Sequence, residues 1–151
     1  MFNHYFAYGS NMNPARVSDR GLSIQKATGA RLEGYQLVFD KHSKHHQGSG
    51  HANIRWSPGH VVEGVIYTLA SVSEIEKMDR FEAAPINYSR DMVRVDIGGC
   101  PVWTWTYFAN PAVLKPGLLP TQAYLDHLLA GKPYLSDAYW QNLAGWSVSG
   151  E

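Results

Sequence analysis

The chain has 151 residues, of which 44% are apolar and 17% charged, a composition that supports one globular domain spanning residues 1–151 and excludes a disordered chain. Thirteen basic and thirteen acidic side chains balance to zero net charge, and no basic block runs along the sequence, so no nucleic acid is expected as a partner. Cys100 stands alone, which rules out an intrachain disulfide and favours a reducing compartment. Met1-Phe2-Asn3-His4-Tyr5 lacks the layout of a signal peptide, and no apolar run reaches membrane-spanning length, so a cytoplasmic protein with no membrane partner is expected. The remaining partner class is a small molecule, and either a monomer or a homodimer is compatible with the sequence.

Tyr5-Phe6-Ala7-Tyr8 reads as a short strand that Gly9-Ser10-Asn11 breaks. Asn13-Pro14 follows as an N-cap with proline at the first helical position, and Gly21 is placed to stop that helix. The pattern from Gln25 to Leu69 is strand-like, with breaks at Gly34, at Gln47-Gly48-Ser49-Gly50 and at Ser57-Pro58-Gly59. Ser71-Val72-Ser73-Glu74 fits a capping box that opens a helix reaching Phe81 or Glu82, with Pro85 beyond its end. Val93, Val95 and Ile97 alternate along a strand, Gly98-Gly99 turns, and Val102 to Phe108 returns with Trp103, Trp105 and Tyr107 on one face, read as core or barrel wall. After the proline-rich connection from Pro111 to Pro120, two short helices are expected over residues 121–130 and 136–143. The sum is an α+β domain, a small mixed β-barrel of roughly six or seven strands with peripheral short helices.

Glu82 is the most informative residue. At 100° per residue, Val72, Ile75 and Met78 share one helical face, and Glu82, seven after Ile75 and four after Met78, falls in the middle of it. A carboxylate aimed at apolar surroundings is costly when charged, and its raised pKa suits a general acid/base near neutral pH. Phasing alone also leaves open a helix that frays by Phe81 and turns Glu82 to water. Asp79 lies on the flank of the same face. The loop at Gly9-Ser10-Asn11 lets a ligand approach the backbone and offers amides to an anion, although a plain strand-to-helix turn explains the same residues. Ser10 as a nucleophile lacks the flanking glycine pair and a partner histidine. His42, His45, His46, His51 and His60 match no metal-ligand spacing, so no metal is assigned and the segment reads as an exposed loop. Cys100 has no activating neighbour in sequence.

Several segments together resemble the γ-glutamylcyclotransferase family. They are Phe6-Ala7-Tyr8-Gly9-Ser10-Asn11-Met12, Gly34-Tyr35-Gln36-Leu37-Val38-Phe39, Gly50-His51-Ala52-Asn53-Ile54, Val62-Glu63-Gly64-Val65-Ile66-Tyr67, Met78-Asp79-Arg80-Phe81-Glu82 and Tyr88-Ser89-Arg90. The resemblance implies a compact six- or seven-stranded barrel and a cofactor-free reaction, in which a substrate's α-amine attacks its own γ-carbonyl, releasing 5-oxoproline and an amine. It also implies that Glu82 moves the proton, that the backbone at Gly9, Ser10 and Asn11 cradles the glutamyl unit, and that Tyr88 closes the pocket while Tyr8 shapes it. Proximity and one proton transfer carry such a reaction.

Two features depart from the family's pattern: Ala83-Ala84-Pro85 follows the acid where many members place glycine, and the segment His42 to His51 is rich in histidine. The resemblance implies a γ-glutamyl amino acid or γ-glutamylamine as substrate, or a γ-glutamyl protecting group removed from a biosynthetic intermediate. Glutathione suits the Tyr-Gly-Ser-Asn loop less well. A non-catalytic small-molecule binding or regulatory module of the same fold is the alternative. The loops around residues 42–51 and 109–120 are expected to build the leaving-amine side.

Overall fold

A computed structural model describes residues 3–150, so Met1 and Phe2 of the N-terminal reading, and Glu151 of the expected domain, lie outside the described residues. The chain opens with β1 (His4–Ala7), a 3-10 turn (Ser10–Met12) and α1 (Pro14–Asp19). Two long antiparallel strands follow, β2 (Ile24–His42) and β3 (Gly50–Leu69). Next come α2 (Ile75–Phe81), the hairpin of β4 (Tyr88–Ile97) and β5 (Cys100–Ala109), and then α3 (Gln122–Leu129) and α4 (Asp137–Ala144). The strands close into a barrel in the order β1-β3-β2-β4-β5, with β1 parallel to β5 at Tyr5–Trp105 and the other pairings antiparallel.

The α+β barrel is the expected fold, with five strands in place of six or seven. The excess comes from reading Gly34 and Ser57-Pro58-Gly59 as breaks. Both lie inside strands, opposite each other, where the β2–β3 register shifts between Glu33–Val61 and Tyr35–Trp56. A bulge absorbs the turn-forming residues without ending the pairing, and it bends the long ribbon so that it wraps the barrel. Gln47-Gly48-Ser49-Gly50, in contrast, falls at the connection between the two strands.

The helix signals follow their chemistry. Asn13 Oδ1 accepts the Ala15 amide at 3.2 Å at the start of α1, and Thr121 and Ser136 cap α3 and α4 through the Tyr124 and Tyr139 amides. Glu63, buried on β3, accepts from both the amide and the hydroxyl of Ser136 at 2.7 Å and ties α4 to the barrel. The expected capping box does not form. Glu74 instead accepts the Ser23 amide at 2.9 Å and pairs with Lys77, so α2 starts at Ile75 and leaves Val72 exposed. The aromatic row on β5 meets the expectation in part, since Tyr107 is buried in the core and Trp105 packs against it. Thr104 and Thr106 are the fully buried positions, and Trp103 is 51% exposed. Small side chains suit the close approach of β5 to β1, where the Thr106 hydroxyl donates to the Phe6 carbonyl at 2.9 Å.

The core runs from Phe6 and Met12 through Val65, Tyr67 and Leu69 to Ile75, Met78, Leu125 and Leu128. Gly64 lets β1 cross close above β3, since a Cβ there would lie 2.4 Å from the Ala7 carbonyl oxygen and 2.8 Å from the Phe6 ring. Gly64→Ala is expected to destabilise the fold by roughly 2–3 kcal/mol, read from urea unfolding, because the obstruction is backbone and cannot rotate away. An unchanged unfolding midpoint would contradict this packing.

Candidate active site

β1 ends at Ala7, and the chain turns at Gly9 into the short 3-10 helix, whose first internal bond runs from the Met12 amide to the Gly9 carbonyl at 3.0 Å. The amides of Gly9, Ser10 and Asn11 therefore have no acceptor within the turn. Space at Gly9 is tight: a Cβ there would meet the Ala52 Cβ at 3.0 Å and the Tyr124 hydroxyl at 3.3 Å. The loop thus sits pressed between β3 and α3.

Asn11 is the hub. Its Nδ2 donates to the Tyr5 hydroxyl at 2.8 Å and to Glu82 Oε1 at 3.2 Å, and lies 3.2 Å from Met78 Sδ. Its Oδ1 accepts from Arg20 Nη1 at 2.9 Å, and its carbonyl accepts the Tyr67 hydroxyl at 2.6 Å. Every polar atom of this buried side chain is engaged, which fixes its orientation.

Glu82 caps the C-terminal end of α2 with helical backbone angles (φ −87°, ψ −2°), so its side chain keeps the phase that the sequence assigns and joins Met78 at Asn11 rather than turning to water. Burial pushes its pKa up to about 7, against Arg20, Arg16, Lys41 and the Asn11 amide, which all favour the charged form. Desolvation wins because, among the described residues, the carboxylate is offered a single neutral donor and no direct ion pair. Ala83, next in sequence, has a positive φ of 48°. The departure from glycine therefore falls at a position where a side chain is strained.

Tyr8, Gly9, Ser10, Asn11, Glu82 and Tyr88 all line one cleft of about 200 Å3. The Tyr8 hydroxyl donates to the Tyr107 carbonyl at 2.6 Å and that of Tyr88 to the Ala52 carbonyl at 2.8 Å. Burial, followed by the charge of Glu82 for Tyr8 and the neighbouring phenol of Tyr124 for Tyr88, holds both phenols well above their usual range, so both remain neutral donors. Asp79 stands behind Tyr107, accepting its hydroxyl at 2.7 Å and pairing with Arg90 at 3.0 Å.

The cleft also contains residues that the sequence reading missed: Tyr5, Arg16, Arg20, Lys41, Tyr107 and Tyr124. Arg16 and Arg20 carried a readable signal, since Arg16 on α1 and Arg20 at its C-terminal cap lie four apart and so share a face. Tyr124 receives the Ala52 amide at 3.0 Å and stacks on His51, whose imidazole burial holds at a pKa of about 4, hence neutral. The histidines do not gather: among the described residues no three of His, Cys, Asp and Glu converge as metal ligands. Cys100 is exposed.

A compact mixed barrel with a partly buried carboxyl of near-neutral pKa, set against a loop whose first amides have no acceptor within the turn, defines a class of site suited to moving one proton beside a carbonyl. The family model described as "Gamma-glutamyl cyclotransferase, AIG2-like" matches residues 5–132, and the chain belongs to that family. A solved γ-glutamyl cyclotransferase is similar over 98% of this chain and 89% of its own, with 25% identity and a TM-score of 0.84. YkqA from Bacillus subtilis superposes with a TM-score of 0.82 at 24% identity, covering 97% of this chain and 55% of its own. The glutathione-specific γ-glutamyl cyclotransferase from yeast shares the fold at 14% identity and a TM-score of 0.64, over 93% of each chain. No curated protein sequence matches the chain significantly. Among the described residues no helix is long and apolar enough to cross a membrane.

The raised pKa has a consequence for stability. The unfolded chain releases the Glu82 proton near 4.5, whereas the folded protein holds it to about 7. Native stability therefore falls as pH rises between those values, and the penalty is absent below them. Glu82→Gln is expected to match wild type near pH 4 and to exceed it by about 2–3 kcal/mol at pH 8 in denaturant unfolding. A stability difference that stays constant with pH would place the carboxyl in water.

Proposed function

We propose that the protein cleaves a γ-glutamyl amide by internal cyclisation. One observation carries the reading: among the described residues the cleft holds a single carboxyl, Glu82, raised to a pKa of about 7 and ringed by Arg16, Arg20 and Lys41. A γ-glutamyl unit presents an α-ammonium that needs a base and an α-carboxylate that needs cations, and Arg16 and Arg20 suit the second requirement.

Glu82 takes a proton from the α-ammonium. The freed amine attacks the γ-carbonyl carbon, the carbonyl electrons move to oxygen, and the amides at Gly9, Ser10 and Asn11 stabilise that oxyanion. Collapse breaks the bond to the leaving nitrogen as Glu82 delivers its proton there, and the ring nitrogen, cationic after attack, gives up its second proton through the Glu82 carboxylate to the departing amine, leaving 5-oxoproline and an ammonium. Tyr88 and Tyr8 wall the pocket as neutral phenols. No water, metal or cofactor enters these steps. Holding the amine against the carbonyl supplies most of the acceleration, and the enclosed walls favour the folded substrate.

Purified protein should release 5-oxoproline from γ-glutamyl-alanine or from a γ-glutamylamine, and Glu82→Gln should lower kcat/KM by at least roughly 100-fold while retaining the fold. In wild type, kcat/KM should fall as pH drops below about 7, since protonated Glu82 cannot accept the proton. Full activity in Glu82→Gln would remove the assigned base. Tight binding of 5-oxoproline or glutamate without turnover would support a binding module instead.

A further inference from the structure

Part of the cleft's charge has no use in cyclisation. Lys41, near the C-terminal end of β2, is only 6% exposed, yet its side chain lines the cleft. Among the described residues its ammonium has no ion pair or hydrogen bond. The adjacent acid, Asp40, is engaged elsewhere, accepting from Asn53 Nδ2 at 3.0 Å. The lysine stem is packed into the wall while its unpaired ammonium faces the cleft, a placement that sets a positive charge where a ligand can supply the counter-charge.

Lys41, Lys44 and Asn87 also line a second groove of about 260 Å3, which continues past the first and is completed by His42, Leu114 and Lys115, with no acidic side chain in its walls among the described residues. Its far wall is held in place by backbone pairing: Lys41 bridges to Leu114, and the Lys115 amide donates to the Asp40 carbonyl at 2.8 Å. The histidine-rich loop and the connection after β5 therefore meet at one cationic annexe.

We propose that this annexe is the subsite for the leaving amine, and that it selects amines bearing an oxyanion, a carboxylate or phosphate, over neutral or cationic ones. The assignment rests on the first cleft being the γ-glutamyl site. Lys41, at the junction, meets the anionic oxygen nearest the scissile bond, while Lys44 and Lys115 at the exposed lip attract the charge from solvent. Like-charge repulsion works against a polyamine tail.

The test uses four γ-glutamyl compounds that share the glutamyl half: γ-glutamyl-glutamate, the γ-glutamyl amide of O-phosphoethanolamine, γ-glutamyl ethylamide and γ-glutamyl-putrescine. Wild-type kcat/KM and calorimetric binding to the Glu82→Gln protein are both measured. The anionic compounds should exceed the ethylamide by about tenfold or more in both readouts, with the putrescine compound weakest. The order within the anionic pair distinguishes carboxylate from phosphate. Lys41→Met should reduce the anionic-to-neutral ratio towards one, acting mainly on KM. The exposed double change Lys44→Ala/Lys115→Ala should also reduce it, which keeps the test decisive if Lys41→Met does not fold. Equal values across the panel, a preference for putrescine, or a ratio untouched by the lysine variants would overturn the subsite. Binding in the expected order without turnover would overturn the cyclisation instead and leave the subsite standing; binding of none would overturn both.

Discussion

The site depends on the contact between the Glu82 carboxyl and the Asn11 amide. It joins the end of α2 to the loop after β1, two segments 71 residues apart in sequence. Asn11 is itself held by Tyr5, Tyr67 and Arg20, so the carboxyl meets an oriented neutral dipole rather than a mobile charge. A direct arginine pair would have kept Glu82 ionised and its pKa low. One donor in a desolvated pocket keeps the two protonation states close in free energy near neutral pH, which is the condition for both accepting and returning a proton.

The cations act at one remove. Arg20 bonds Asn11 and lies 4.9 Å above the Phe81 ring, and Arg16 shares its hydrogen bond with His127 at 3.2 Å. Neither neutralises Glu82 directly, so both stay available to an anionic ligand while still drawing the carboxyl's pKa down. Removing water from the cleft raises the stakes of every one of these charges. Fold stability and proposed chemistry are therefore opposed at Glu82: the group that costs stability when charged is the one the reaction uses.

Much of this was legible in the sequence because the signals were local. Helical phase carried Glu82 to the right face, even though the helix begins later than its capping pattern suggests and Val72 falls outside it. The glycine at position 9, the Asn13-Pro14 start and the Gly98-Gly99 hairpin were readable for the same reason. The strand count was not, because a bulge and a chain break use the same residues and only pairing across the sheet separates them, as at Gly34 and Ser57-Pro58-Gly59. The far walls of the cleft were equally hidden. Lys41 and Tyr124 reach it through strand register and helix docking, which leave no mark in the local pattern.

The charge balance at Glu82 is directly observable. Carboxyl 13C titration of the protein, with the Glu82 resonance identified by its loss in Glu82→Gln, should give a midpoint near 7. A midpoint at the ordinary glutamate value near 4.5 would contradict a desolvated carboxyl and, with it, the assignment of Glu82 as the proton carrier.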